Sequence, residues 1–202
     1  MRRIVVAIVA FVLVAAVPAA AEPVSKDPAL APAGTYTADA KHTQVLFSIM
    51  HLGLTDYNGR FDRISGTLTF DNKEPERSSI SISIDTTSLD TPSTALNDNL
   101  KNVFRVQQYP VAIFKSTSIT RSGPDTGRIN GQLTIRDVTK PVVLDVTFNG
   151  GGKVPMSGGY SLGFHASGMI HRSDFELDHM IWSGFVGDDV RLTIEAEFDQ
   201  KS

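Results

Sequence analysis

A chain of 202 residues, 41% hydrophobic and 20% charged, has the make-up of an ordinary globular protein and room for one domain with a sizeable core. Its net charge of −3 argues against nucleic acid and anionic lipid headgroups as main partners. The absence of cysteine excludes disulfides, a thiol nucleophile, thiolate metal ligands and a lipid-anchored N-terminus.

Residues 1–21 read as a signal peptide: Arg2 and Arg3 form a basic start, residues 4–17 are an unbroken apolar run, and Ala19-Ala20-Ala21 suits cleavage after Ala21. The run is short for a membrane span and no stop-transfer charges follow it. The alternative is an uncleaved anchor. Cleavage removes two arginines, takes the net charge from −3 to −5, and implies a periplasmic protein without stable membrane insertion. Residues 22–33 contain three prolines and read as a flexible leader, with the domain spanning 34–199.

From there the chain is almost all strand. Residues 35–38 form a short first strand, expected at a sheet edge where homodimerisation is possible. His42 to Asp71 reads as two strands around a loop at 52–59. Val45, Phe47 and Ile49 share one face of the first, and Ile64, Leu68 and Phe70 alternate with Ser65, Thr67 and Thr69 in the second. The stretch 79–85 (SISISID) alternates without exception, which puts Ile82 and Ile84 on one face. Strand 111–119 is partly apolar on both faces. Ile129, Leu133 and Ile135 share a face in 129–135, as do Val142, Leu144, Val146 and Phe148 in 142–148. The same holds for Tyr160, Leu162, Phe164, Ala166 and Ile170 in 160–170. Strand 190–198 closes the chain with Val190, Leu192, Ile194, Ala196 and Phe198 inward. Turns are expected at 71–77, 122–125, Lys140-Pro141 and 149–152. None of the intervals has room for crossover helices, so the sheet is antiparallel. One segment, 91–104, carries Leu96, Leu100, Val103 and Phe104 at helical spacing, with Thr91 as N-cap and Pro92 at the first helical position. It is expected near a barrel mouth, the alternative being the outside of the sheet.

One-sided antiparallel strands build either a sandwich or a closed barrel of about eight strands. Gly66, Gly131, Ala166 and Gly168 share the parity of the apolar faces and are expected to leave volume inside, which favours the barrel. By the same parity, Phe47, Ile49, Leu68, Ile82, Ile84, Leu133, Leu144, Val146, Phe164 and Ile170, with Phe114, are the expected lumen lining.

Catalytic patterns are missing: there is no Gly-x-Ser-x-Gly, no His-Glu-x-x-His and no phosphate-cradling loop before a helix. His42 and His51 differ in parity, and His165 and His171 lie ~20 Å apart on one strand, too far for a shared metal. Cross-strand pairing of His51 with His171 or His179 stays open. Carboxylates at Asp174 and at Asp188-Asp189 read as turn caps and rim ion pairs. Residues 150–159 read as a hairpin loop, and Trp182 as either core or pocket entrance. No cofactor or metal is expected.

A set of short motifs resembles the YceI family of exported lipid- and polyisoprenoid-binding proteins. They are Tyr36 and Asp39 before His42-Thr43, then Phe47 and His51, Gly59 with Phe61, Gly66, and Phe70-Asp71. Farther on come Thr91, Leu100, Phe104, Tyr109-Pro110, Phe114 with Ser116, Gly131 with Leu133-Thr134-Ile135, Arg172-Ser173-Asp174-Phe175, and Val186-Gly187-Asp188-Asp189-Val190. The resemblance implies an all-β fold, an extended antiparallel lipocalin-like barrel whose lumen takes a long-chain isoprenoid or quinone-type lipid, and no catalytic residue set. The chain departs from the family pattern in a shorter interval between Leu100 and Tyr109, in Arg105, and in Asp137 and Glu176 where glycine is expected. Two other functions stay open: an enzyme using rim histidines on an apolar substrate, and an interaction module with a filled core.

Overall fold

The computed structural model describes residues 24–155, 158–177 and 184–200. The expected signal peptide, His179 and Trp182 lie outside the described residues. The strands are β1 (Gly34–Ala38), β2 (Gln44–His51), β3 (Thr55–Phe61), β4 (Ile64–Phe70), β5 (Ser79–Asp85), β6 (Leu89–Asp90), β7 (Val111–Arg121), β8 (Thr126–Ile135), β9 (Val138–Lys153), β10 (Tyr160–His171) and β11 (Val186–Gln200), with one helix, α1 (Thr94–Val103).

Every strand pairing is antiparallel, and eight strands close a ring in the order β1-β4-β5-β7-β8-β9-β10-β11, with β11 returning to β1. The expected barrel is therefore the observed one. Closure comes from β1, which pairs β4 on one side and β11 on the other. It is not the edge strand read from the sequence: β4 and β11 bond its two edges, while Tyr36 and Ala38 are buried on its inner face.

β11 carries two strands in succession along one edge. Its first part pairs β2, and residues 198–200 pair β1. The ladder breaks at Glu197, where the buried Thr43 takes its place: Thr43 Oγ1 donates to the Glu197 carbonyl at 3.1 Å and accepts from its N–H at 3.2 Å. The intervening loop is held by Asp39, whose carboxylate accepts from Lys41 N at 2.8 Å and lies 2.5 Å from His42 Nδ1. β3 pairs β2, and the short β6 pairs β3, so the wall runs on beyond the eight-stranded ring at this end.

Several boundaries differ from the sequence reading. The loop expected at 52–59 is a tight turn at 52–54 followed by β3. β3 was illegible because Gly59 stands at an inward position and polar residues fill most of the rest. The turn expected at Lys140-Pro141 lies four residues earlier, at Arg136-Asp137, and Pro141 sits inside β9 opposite Gln132. β10 pairs β9 only from Leu144 onward, so the proline stands where β9 has a free edge, as strand prolines do. Residues 149–152, expected as a turn, continue β9. The missing side chains of Gly150 and Gly152 admit the N-terminal segment, since a Cβ on Gly150 would stand 2.3 Å from Val24 Cγ1. Residues 24–33, read as a leader, lie on the barrel through paired bonds between Ser25 and Gly151 at 2.9 and 2.8 Å and through Ala31, which is fully buried. The helix begins later than expected, with Ser93 as N-cap, its Oγ accepting from Leu96 N at 3.3 Å. Thr91 is buried instead, bonded through N and Oγ1 to Asn97 Oδ1 at 2.8 and 2.7 Å. Among the described residues no helix is long and apolar enough to cross a membrane.

Of the three positions that depart from the family pattern, Glu176 adopts φ 54° and Arg105 φ 50°, left-handed conformations that glycine takes more readily. Beside Asp137, Arg136 adopts φ 57°. The buried Arg136 guanidinium donates to the Phe175 carbonyl at 3.0 Å and pairs with Glu176 at 3.3 Å, tying the β8–β9 turn to the 172–177 segment.

Tyr36 is fully buried, and its hydroxyl donates to the Pro32 carbonyl at 2.7 Å. Burial first, and neighbouring Tyr160 second, push its phenol up to about 12. The folded state therefore keeps a proton that the unfolded chain loses above about pH 10, so stability falls as pH rises from about 10 to about 12. Tyr36→Phe should lose about 1 kcal/mol near pH 8 and show a flatter decline above about pH 10, which urea midpoints across that range would measure.

Candidate ligand-binding lumen

Inside the ring lies a cavity of about 690 Å³. It extends from His51, Tyr57, Phe185 and Val186 at the end where β2 and β3 prolong the wall to Pro28, Pro75 and Asp125 at the opposite end. Val186 and Phe198, at the two ends of β11's inner face, both lie on the wall. At ~3.3 Å per residue and a strand tilt of ~40°, that separation corresponds to a lumen roughly 30 Å long. Dividing volume by length leaves a mean cross-section of roughly 20 Å² for atom centres, a narrow bore in which hydrocarbon carbons keep ~3.5–4.0 Å from the wall atoms.

All eleven residues chosen by parity stand on the cavity wall: Phe47 and Ile49 from β2, Leu68 from β4, Ile82 and Ile84 from β5, Phe114 from β7, Leu133 from β8, Leu144 and Val146 from β9, and Phe164 and Ile170 from β10. The structure adds Tyr57 and Phe61 from β3, Leu89 from β6, and the inner face of β11 from Val190 to Phe198. The β11 residues were visible in its alternation. Those on β3 and β6 had no signal, because both strands are too short or too polar to show one. Helix α1 presents Leu96, Leu100 and Val103, with the following Phe104, to the same cavity, which puts the helix at the barrel mouth. The Phe104 ring stands 5.8 Å from Phe61 and Phe61 stands 5.9 Å from Phe47; a second aromatic cluster, Phe148, Phe164 and Phe198, joins rings at 5.4 and 6.0 Å.

The inward glycines do not leave empty space as expected. A Cβ on Gly131 would meet the Phe114 ring at 2.3 Å, one on Gly66 would meet Ile82 Cδ1 at 2.7 Å, and one on Gly168 would meet Leu144 Cδ2 at 2.7 Å. Cross-strand side chains lie flat over these bare stretches of wall. Gly59, paired with Phe47 in register, does the same for that ring, with a Cβ position 2.3 Å from Phe47 Cζ. The glycines widen the lumen indirectly, by letting large side chains lie along the wall instead of across it.

The described histidines do not converge on the cavity. His165 and His171, on β10, face outward and pair with their register partners Glu195 and Asp189 at 2.7 and 2.8 Å. His42 packs on Asp39 in the loop before β2, and that hydrogen bond and charge hold its imidazole above its ordinary value. Among the described histidines, only His51 lies on the wall. On the outer surface, Asp39, His42 and Glu197 bring their ligand atoms within 4.8 Å of one another. Asp188, read as a turn cap, accepts from Ser173 N at 2.9 Å and Ser173 Oγ at 2.7 Å. Burial pushes its carboxyl up, but these bonds and the charge of Arg172 outweigh burial and hold it below the usual range.

Fold and site together define a closed antiparallel β-barrel around a long, narrow apolar lumen. The chain belongs to the YceI-like family: the YceI-like domain matches residues 36–198. Protein YceI of Escherichia coli O6:H1 is 38% identical over 141 residues, 69% of this chain and 73% of that protein. A UPF0312 protein of Pectobacterium atrosepticum is 35% identical over 171 residues, 84% and 87% of the two chains. Among solved structures, BcnA of Burkholderia cenocepacia superposes with a TM-score of 0.71 at 24% identity, covering 79% of this chain and 98% of that one. A polyisoprenoid binding domain from Saccharophagus degradans superposes with a TM-score of 0.63 at 16% identity, covering 82% and 98%. Both share the fold.

Two alanine substitutions separate the roles of the glycines. At Gly59 the obstacle is a ring edge, which can swing into the lumen, whereas at Gly131 the Lys115 carbonyl at 2.7 Å is also in the way. Gly131→Ala should cost about 1–3 kcal/mol, Gly59→Ala distinctly less, as measured by urea denaturation.

Proposed function

We propose that this protein is a periplasmic binding and carrier protein that sequesters a long, single-chain isoprenoid lipid, polyprenyl or quinone-type, in its lumen. The observation that carries the reading is the apolar cavity running nearly the length of the barrel. Its length and narrow mean bore suit an extended hydrocarbon chain. An isoprenoid tail gains ~25 cal/mol for each Å² of apolar surface withdrawn from water, so a wall of Phe, Leu, Ile and Val can hold it with few polar contacts. The fold shared with a polyisoprenoid binding domain supports the same ligand class, and the basic-apolar-small order of residues 1–21 supports export.

The role is binding without chemistry. His165 and His171, paired with carboxylates of β11, sit on the outer face of β10 away from the lumen, which supports binding over rim catalysis. The unfilled cavity likewise disfavours a module that works only through its outer surface.

Protein purified without detergent should carry a co-purifying lipid mass by native mass spectrometry. Delipidated protein given a prenyl compound at about a hundred times its dissociation constant should gain ~2.7 kcal/mol, or roughly 5–10 °C in melting temperature. An empty barrel that no prenyl compound stabilises would rule the reading out.

A further inference from the structure

The hydrocarbon wall leaves one polar group unused. Arg172 follows β10 and lies on the cavity wall at the end where β2 and β3 prolong the barrel. Its Nε donates to the Gly187 carbonyl at 2.8 Å and its Nη2 to the Val186 carbonyl at 3.2 Å. Its Nη1 is buried and has no hydrogen-bond partner among the described residues. A buried charged donor left unpaired is costly, so such a group on a cavity wall marks a place where a ligand atom completes the bonding. Val186 stands opposite His51 in register, and β3 carries Tyr57 onto the wall at the same end, so three polar side chains line this end of the lumen. The arginine at the opposite end is different: Arg121 is exposed, and its Nε and Nη2 are taken by the Gly123 and Pro124 carbonyls at 2.7 Å each.

Resting on the lipid-binding reading above, we infer that Arg172 Nη1 binds the head-group oxygen of the lipid, with His51 and Tyr57 beside it and the tail directed toward β1. The head is a neutral acceptor, an alcohol or a quinone-type carbonyl. A phosphate calls for several donors, and here one nitrogen is free. The rim also carries negative charge of its own, Asp188 beside Arg172 and Asp189 paired with His171.

The test is titration of delipidated protein with geranylgeraniol, with the hydrocarbon lacking only its hydroxyl, and with its monophosphate, on wild type, Arg172→Met and Arg172→Lys. Wild type should bind the alcohol about tenfold or more tighter than the hydrocarbon, as a hydrogen bond to a charged donor warrants, and no more weakly than the monophosphate. Arg172→Met should bind the hydrocarbon as wild type does and lose the preference; Arg172→Lys should keep part of it. Equal binding of alcohol and hydrocarbon by wild type overturns the inference, as does a preference that survives in Arg172→Met, and the tightest binding by the monophosphate overturns the neutral head group. Arg172 also supports the Val186–Gly187 backbone; if Arg172→Met does not fold, the wild-type comparison and Arg172→Lys decide. Failure of all three compounds to bind is a separate result, which overturns the lipid-binding reading itself.

Discussion

A ring of antiparallel strands that closes on itself satisfies its backbone hydrogen bonds within the wall, and everything else in this molecule depends on that closure. With the ring's edges paired except where β9 runs on beyond β10 before Leu144, the interior is free to be hydrocarbon along most of its length. The closing strand is the five-residue β1, held between β4 and β11 and anchored by the buried Tyr36. A packed sandwich built from the same alternating strands would have spent its inner faces on each other and left no room for a chain.

Length is the second consequence. β11 is longer than any single neighbour on its outer edge, and β1 and β2 share it end to end, with the Thr43 hydroxyl bridging the gap at Glu197. By taking β2 and then β3 beyond the eight-stranded ring, the protein prolongs its tube at one end. It then places α1 there, with Leu96, Leu100 and Val103 turned onto the lumen. Glycine opposite a large side chain sets the bore, as Gly59 does for Phe47 and Gly131 for Phe114. The polar groups of the wall are confined to the two ends, which gives a ligand with one oxygenated terminus a reason to lie one way round.

Much of this was legible because period-two alternation carries the fold. The strands around Leu133, Leu144, Phe164 and Leu192 announce their inner faces in sequence, and all of them contribute to the lumen. What the alternation could not show depended on neighbours. β3 reads as a loop, since Gly59 takes its inward position for the sake of a ring on another strand. The Asn-Gly-Gly-Gly stretch 149–152 reads as a turn because the segment at Ser25 that passes over it is distant in sequence. Pro141 reads as punctuation because the point where β10 stops pairing is a property of the sheet. Arg172 was visible only as part of a motif; that one of its nitrogens is buried without a partner depends on where the carbonyls of Val186 and Gly187 fall.

The central claim is that the lumen is the binding site for one long apolar chain. A crystal structure of protein prepared without detergent tests it most directly. The expected result is continuous density, one chain wide, along the barrel between Phe47 and Phe148, with a polar terminus near Arg172. A lumen holding only ordered water, or closed by side chains packed across it, contradicts the claim.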